Sequence, residues 1–362
     1  EGSSTLMASV PVALEGQPYD VIVGAGVRSE AHALTDARDQ VAVLADRRVQ
    51  ALHGPLIEGA STLEVDGGEP LKSMDGLAEA LDFCAAAGLS RGSLLIAYGG
   101  GTVGDLGGLA ASLFKRGIDV LQVPTTLLAQ VDASVGGKTA INLRSGKNLA
   151  GTFHQPARVL CDTSLLGTLS DAEFASGLGE VIKTSIIGGE DMVSLTEGLM
   201  ASLIERDPSA LATVIEACVR VKARVVVSDP EERGPRRALN LGHTFAHAIE
   251  SAAGYGAVPH GVAVGVGLAL AARAAESTCG ASGALTERTT LLLERAGLPP
   301  SLQVLRGAYG LEEQLTPAAL RAGLAHDKKG SVGAPEFVLA RGVGDVIMGQ
   351  HLDEDLLAQL LA

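Results

Sequence analysis

The stretch Ser93-Leu94-Leu95-Ile96-Ala97-Tyr98-Gly99-Gly100-Gly101-Thr102-Val103-Gly104-Asp105 decides how the chain is read. A short apolar run that stops at glycines reads as a buried strand. The glycines lead into a helix, expected over Leu106 to Phe114. At such a junction backbone N–H groups approach a phosphate at the positive end of the helix. The spacing also satisfies GxGxxG, a weak pattern by itself that gains from the strand before it and the helix after it. One feature departs from an ordinary dinucleotide fold. The acidic residue at a strand end, Asp46, precedes the glycines instead of following them by about 20 residues. A plain glycine turn is the competing reading.

Outward from this junction, β-like runs and helical stretches alternate. Val10–Leu14 and Tyr19–Val23, split by Glu15-Gly16-Gln17-Pro18, read as a hairpin. Val41–Leu44 and Val120–Val123 read as strands, and Met74–Ala87 as a helix. Strands alternating with helices imply a parallel sheet covered by helices. After about residue 165 the texture changes. Asp171–Ile187, Asp191–Ile204, Pro208–Val227, Asn240–Ala252 and Gly261–Glu276 read as helices, and strand signals return only at Glu336–Leu339. The fold class expected is an α/β, Rossmann-like N-terminal domain over 1–167, followed by a mainly α-helical C-terminal domain over 168–362.

Composition narrows the function. The 362 residues carry 28 Lys+Arg against 42 Asp+Glu, a net charge of −14. Such a chain is repelled by nucleic acid and by anionic membrane surfaces. Aromatics are 3% of residues, with no Trp, so platforms for stacking bases are not expected. The four cysteines, Cys84, Cys161, Cys218 and Cys279, are far apart and form no CxxC, which suits reduced thiols in a cytoplasm. Residues 1–7 read as a polar tail without signal-peptide character. Ser251–Ala272 lacks formal charge, but its glycines and Pro259 favour a loop and a buried helix over a membrane span.

Four constellations carry chemistry. The glycine turn is the first. The second is Pro124-Thr125-Thr126 through Asp132, Gly136-Gly137-Lys138 and Gly146-Lys147-Asn148, with Arg116 upstream. It is read as a constrained loop where cations beside glycines admit a compact anion. The third places His243 and His247 four apart on one helix face, with His260 in a following loop and Glu180 and Lys183 on an earlier helix. Two imidazoles and a carboxylate with an open position suit a catalytic metal. HxxxH spacing alone equally allows structural histidines. The fourth is Lys222, Glu232, Arg236 and Asn240, a carboxylate clamp or a surface ion-pair network.

Longer motifs then stop being generic. GGGTVGDLGGLAASLFKRG, QVPTTLLAQVDASVGGKTAIN, GKNLAGTFHQP, SGLGEVIK, LNLGHTFAHAIE and HDKKG together resemble the 3-dehydroquinate synthase family, in order and over nearly the whole chain. The resemblance implies a carbon–oxygen lyase of aromatic amino acid biosynthesis. It would convert 3-deoxy-D-arabino-heptulosonate 7-phosphate to 3-dehydroquinate and phosphate. The steps would be transient oxidation by NAD, phosphate elimination, reduction and aldol closure. It implies NAD, a divalent metal (zinc or cobalt), a homodimer and a cytoplasmic location, with no nucleic-acid or membrane partner.

By motif, the resemblance assigns Glu180, His243 and His260 to the metal. It assigns Asp46, Glu69, Lys72, Gly100, Gly101, Asp105, Thr125, Thr126 and Thr168 to NAD, with Lys147 at the junction of NAD and substrate. Lys138, Asn148, His247 and Lys328 would hold the substrate phosphate, His247 also serving proton transfer, with Arg116 reaching in from a partner subunit. Arg236 and Lys222 would hold the carboxylate, and Asp132, Lys183 and Asn240 the hydroxyls. One departure is that HGEAV of the family reads His260-Gly261-Val262-Ala263-Val264 here. A valiolone- or inosose-type sugar-phosphate cyclase is the nearest rival. Its substrate lacks the carboxylate that would need Arg236 and Lys222. A metal- and NAD-dependent polyol dehydrogenase would not need the phosphate set.

Overall fold

In the computed structural model, residues 7–326 and 335–362 are described. Their contacts divide the chain into two units, one of Glu1–Ser170 with Arg206–Glu231, the other of Asp171–Glu205 with Glu232–Ala362.

The first unit opens with the expected hairpin, β1 (Ala8–Val12) and β2 (Tyr19–Gly24). There follow α1 (Ala31–Thr35), β3 (Val41–Asp46), α2 (Arg47–His53), β4 (Ser61–Val65), α3 (Met74–Ala86), β5 (Leu94–Gly99), α4 (Gly101–Leu113) and β6 (Asp119–Pro124). Next come β7 (Lys138–Leu143), β8 (Gly146–Phe153) and β9 (Arg158–Asp162). Seven strands form one sheet in the order β1-β2-β9-β6-β5-β3-β4, parallel except at β1/β2. The strand period of two sends side chains of β3 to opposite layers. Ala42 and Leu44 pack with Leu77, Leu106 and Leu109 on one face, and Val43 and Ala45 with Leu121 and Leu160 on the other.

The helix after the glycine turn begins at Gly101, earlier than expected. Its glycines are a matter of packing. A Cβ on Gly107 would meet the Cβ of Ala97 at 2.9 Å, and one on Gly108 would meet Cγ2 of Thr139 at 2.4 Å. Close approach to the sheet thus outweighs the poor helix propensity of glycine. The segment expected as a loop is instead partly an antiparallel ribbon, β7 with β8, from Lys138 to Phe153. Thr139 and Ile141 are buried at alternate positions of β7, the strand period, but the glycines and cations around them read as a loop.

The second unit holds α5 (Asp171–Gly188) and α6 (Glu190–Ile204). After α7 (Pro208–Ser228), it resumes with α8 (His243–Ala253), α9 (His260–Cys279), α10 (Gly283–Arg295), α11 (Leu302–Tyr309) and α12 (Pro317–His326). It closes with a strand pair, β10 (Phe337–Gly342) and β11 (Asp345–Gln350), and α13 (Glu354–Leu361). Helix α7 belongs to the first unit, where it packs on β1 and β2. The second unit is therefore interrupted in sequence. Arg236 and Asn240 lie on a separate 3-10 turn, Pro235–Asn240, which ends before Gly242 turns left-handed (φ 78) and α8 starts. Helix α9 is apolar and long enough to cross a membrane by length and composition, yet 72% of its most apolar window is buried inside the protein.

Candidate metal centre and cofactor cradle

Glu180 is on α5, His243 at the start of α8 and His260 at the start of α9. What joins them is a glycine contact. A Cβ on Gly179 would lie 1.9 Å from the carbonyl oxygen of Gly261, and one on Gly261 would lie 1.7 Å from that of Ser176. Only bare backbones fit there, so α5 and α9 touch main chain to main chain beside Glu180 and His260. The Gly261 N–H donates to Ser176 Oγ at 2.9 Å, fixing the register.

One ligand atom from each of Glu180, His243 and His260 lies within 4.8 Å of the others. Glu180 is 1% exposed, and its Oε1 accepts no hydrogen bond among the described residues. That oxygen faces His243 Nε2 at 3.6 Å and His260 Nε2 at 3.5 Å. These distances are long for hydrogen bonds. Two ligands about 2.0–2.1 Å from one tetrahedral ion stand roughly 3.3–3.4 Å apart, so the donor set fits a divalent metal with a fourth position for water or substrate. The opposite ring nitrogens are also held: His243 Nδ1 faces Leu241 O at 3.3 Å, and His260 Nδ1 faces Glu250 Oε2 at 3.3 Å. Orienting partners of this kind fix the ligating tautomer. Without metal, burial opposes charge on the His260 ring, but Glu180 and Glu250 outweigh it and lift the ring to about 10.

Two other expected residues of the second unit, Lys183 and His247, lie beside the triad. Lys183 Nζ is 2.5 Å from Glu180 Oε2, both groups being buried. His247 is one helical turn past His243, ring centroids 5.7 Å apart, and 6.4 Å from His260. It stands beside the triad and not in it. Arg236 is 1% exposed, buried and not at the surface, and Asn240 Nδ2 donates to Glu232 Oε1 at 3.1 Å. Lys328 lies outside the described residues. Sequence reasoning passed over Glu250. Its signal was there, since HxxxHxxE puts an acidic residue on the histidine face of α8.

In the first unit, the sheet explains why Asp46 can precede the glycines. Strands β3 and β5 are neighbours, and the chain leaves β3 for β4 on one side and β5 for β6 on the other. Such a switch point opens a crevice at the strand ends. Asp46 closes β3 and Gly99 closes β5, with Gly100 the residue before α4, so both lie at the strand ends where such a crevice opens. Gly100 caps α4 without any side-chain bond to the first helical N–H groups, which stay available to a phosphate. A Cβ on Gly67 would meet Asp46 Oδ2 at 2.2 Å, so the carboxylate rests against bare backbone. The Thr125 N–H donates to Gly99 O at 3.0 Å, and Thr126 Oγ1 caps the Ala129 N–H at 3.2 Å. Thr168 Oγ1 is 2.7 Å from His53 Nε2, and burial with Arg28 nearby lowers the pKa of that imidazole. These residues fit a dinucleotide.

Around the crevice runs a polar network. Lys72 Nζ is 2.5 Å from Asp105 Oδ2 and 2.5 Å from Asn148 Oδ1. Burial pushes the Asp105 carboxyl above its usual range, against the pull of Lys72. Asn142, which the sequence reading left out, donates to Glu69 Oε2 at 2.6 Å and accepts from the Asn148 N–H at 3.0 Å. Lys147 Nζ is 4.0 Å from Glu69 Oε2. Lys222 binds both the carboxylate and the carbonyl of Asp132. Lys138 is exposed at the start of β7, and Arg116 is exposed after α4 with a left-handed φ of 67°.

Residues 62–176 match the family model of the 3-dehydroquinate synthase N-terminal region, and 177–330 that of its C-terminal region. A 3-dehydroquinate synthase of Caulobacter vibrioides is 42% identical, with 98% of each chain covered. Among solved structures, a 2-deoxy-scyllo-inosose synthase complexed with carbaglucose-6-phosphate, NAD+ and Co2+ is similar at TM-score 0.87 and 26% identity, covering 98% of this chain and 99% of that one. A 2-epi-5-epi-valiolone synthase of Streptomyces hygroscopicus subsp. jinggangensis, with NAD+ and Zn2+ bound, is similar at TM-score 0.84 and 30% identity, covering 96% and 97%.

Proposed function

From the premise that this chain belongs to the 3-dehydroquinate synthase family, we infer that it is a 3-dehydroquinate synthase, converting 3-deoxy-D-arabino-heptulosonate 7-phosphate to 3-dehydroquinate and phosphate. It acts as a phosphate-eliminating lyase dependent on NAD and on zinc or cobalt. The observation that carries the reading is the buried Glu180 oxygen facing two imidazole nitrogens at 3.5 and 3.6 Å.

Glu180, His243 and His260 would hold the metal, which polarises substrate oxygens when bound. Asp46, Gly100, Gly101, Thr125 and Thr126 would hold NAD, which would supply reversible hydride acceptance at the substrate carbon. Glu69, Lys72, Asp105, Lys147 and Thr168 complete that cradle. Lys183, placed by Glu180, offers its ammonium to a substrate hydroxyl. Asp132 and Asn240 serve the remaining hydroxyls, and Lys222 and Arg236 the carboxylate, for which the guanidinium fork is matched. Lys138, Asn148, His247 and Lys328 bind the phosphate, and His247 moves a proton. Holding the substrate in one reactive pose supplies much of the acceleration.

The working form is a cytoplasmic homodimer in which Arg116 serves the neighbouring copy. Leu113, Leu149 and Phe153 of the same unit are exposed apolar side chains of the kind a dimer face covers. Four cysteines without a disulfide among them agree with a reducing compartment.

The test supplies substrate, NAD and zinc, and follows phosphate and dehydroquinate. Both should appear together with no net NADH. NADH accumulating at one per turnover would make the chain a dehydrogenase. Equal turnover of a sugar phosphate lacking the carboxylate would make it another cyclase.

A further inference from the structure

Glu250 sits on α8 with a side chain 4% exposed. A carboxylate so removed from water is costly unless hydrogen-bonded or paired. His260 Nδ1 lies 3.3 Å from its Oε2, while Nε2 of the same ring points at Glu180 Oε1, 3.5 Å away. An imidazole that donates from Nδ1 keeps its Nε2 lone pair for a metal. His243 Nδ1 faces a backbone carbonyl, which no side-chain substitution removes, whereas His260 Nδ1 faces a side-chain carboxylate, that of Glu250. Two residues beyond His260, where the family motif carries glutamate, Val262 is buried among apolar residues and offers no acceptor.

We propose that Glu250 is a positioning residue for the metal centre, holding His260 in the Nδ1-protonated form with Nε2 aimed at the ion. The proposal rests on the reading of Glu180, His243 and His260 as metal ligands. It also gives α8 two tasks: its first residue is a ligand, and its third turn orients the ligand donated by α9.

The test uses the full chain stripped of metal, as wild type, Glu250→Gln and Glu250→Leu. Zinc affinity is measured by competition with a chromophoric chelator, and the stripped proteins are melted in parallel. Partners of this kind change metal affinity about 10- to 100-fold. Glu250→Gln, which keeps an acceptor without its charge, should fall at the low end, and Glu250→Leu at the high end. Nitrogen-15 spectra of the zinc-loaded wild type should show His260 protonated at Nδ1. Zinc affinity unchanged in both variants overturns the proposal, whatever the melting curves show. A lowered melting temperature with unchanged affinity makes Glu250 a structural partner only. If Glu250→Leu does not fold, the isosteric Glu250→Gln decides alone. A wild type that takes up no zinc removes the metal reading itself, a failure visible before any variant is compared.

Discussion

Asn148 Oδ1 accepts a hydrogen bond from Lys72 Nζ at 2.5 Å. The family motifs give the first residue to the substrate phosphate and the second to NAD, so one ammonium touches both assignments. Asn148 meanwhile holds a left-handed φ of 55°, and its N–H is tied to Asn142. The conformation is supported from two sides.

Lys72→Met should weaken NAD binding at least tenfold and lower stability by about 1–3 kcal/mol, because Asp105 is left desolvated without its cation. Dye-free calorimetric titration and a melt measure the two effects. Adding Asp105→Asn should restore the melting temperature and leave NAD binding weak. If stability does not recover, the pair is not the source of the loss.

Gly261→Ala should cost more than about 3 kcal/mol and abolish zinc uptake, since its Cβ would occupy the position of a Ser176 carbonyl that cannot yield. Gly198→Ala is the control. Gly198 is exposed within α6 with nothing near its Cβ position, so alanine there should stabilise by about 0.4–1 kcal/mol. Chemical denaturation with metal analysis compares them.

Zinc loading should release a proton near neutral pH. The metal-free His260 ring titrates at about 10, above its ordinary value, so at pH 7 it carries a proton that the ion must displace. Affinity should therefore rise with pH, close to tenfold per unit below that value. The stability sign runs the other way without metal. A folded pKa above the unfolded one gives His260 a contribution fully present below about 6.5 and lost as pH climbs through about 10. An indicator dye in weak buffer reads the proton release, and melts of stripped wild type and His260→Gln isolate the second effect.

Arg236→Lys should lower kcat/KM for the carboxylate substrate by about one to two powers of ten, at about 1.4 kcal/mol each, and barely affect an analogue without the carboxylate. Because Arg236 is almost wholly buried, the melting temperature should fall as well. Equal kinetic losses on both compounds would take Arg236 out of substrate recognition.

Much of this architecture was legible where one kind of residue dominates an element. Val41–Leu44 and Leu94–Tyr98 are apolar runs buried on both sheet faces, and the helices of the second unit repeat apolar residues at regular spacing. Legibility failed where function crowds a strand. Lys138, Asn142, Lys147 and Asn148 made β7 and β8 look like a loop. The triad was only half legible. Spacing pairs His243 with His247, but the ligand chosen by geometry is His260, brought in by a Gly179–Gly261 contact that depends on tertiary packing. Glu250 and Asn142 escaped because a single acidic or amide residue in a helix or strand looks like ordinary surface until its partner is placed.

The return of α7 to the sheet edge has a consequence for biosynthesis and for truncation. The ribosome delivers β1 and β2 first, yet the helix that covers them follows after α5 and α6 have been made. The nascent first unit must wait with that apolar surface bare, a state open to aggregation and to chaperone capture. A fragment ending at Ser170 should inherit the same exposed face and be poorly soluble, whereas one to which residues 206–231 are joined by a short linker should be a better-behaved protein.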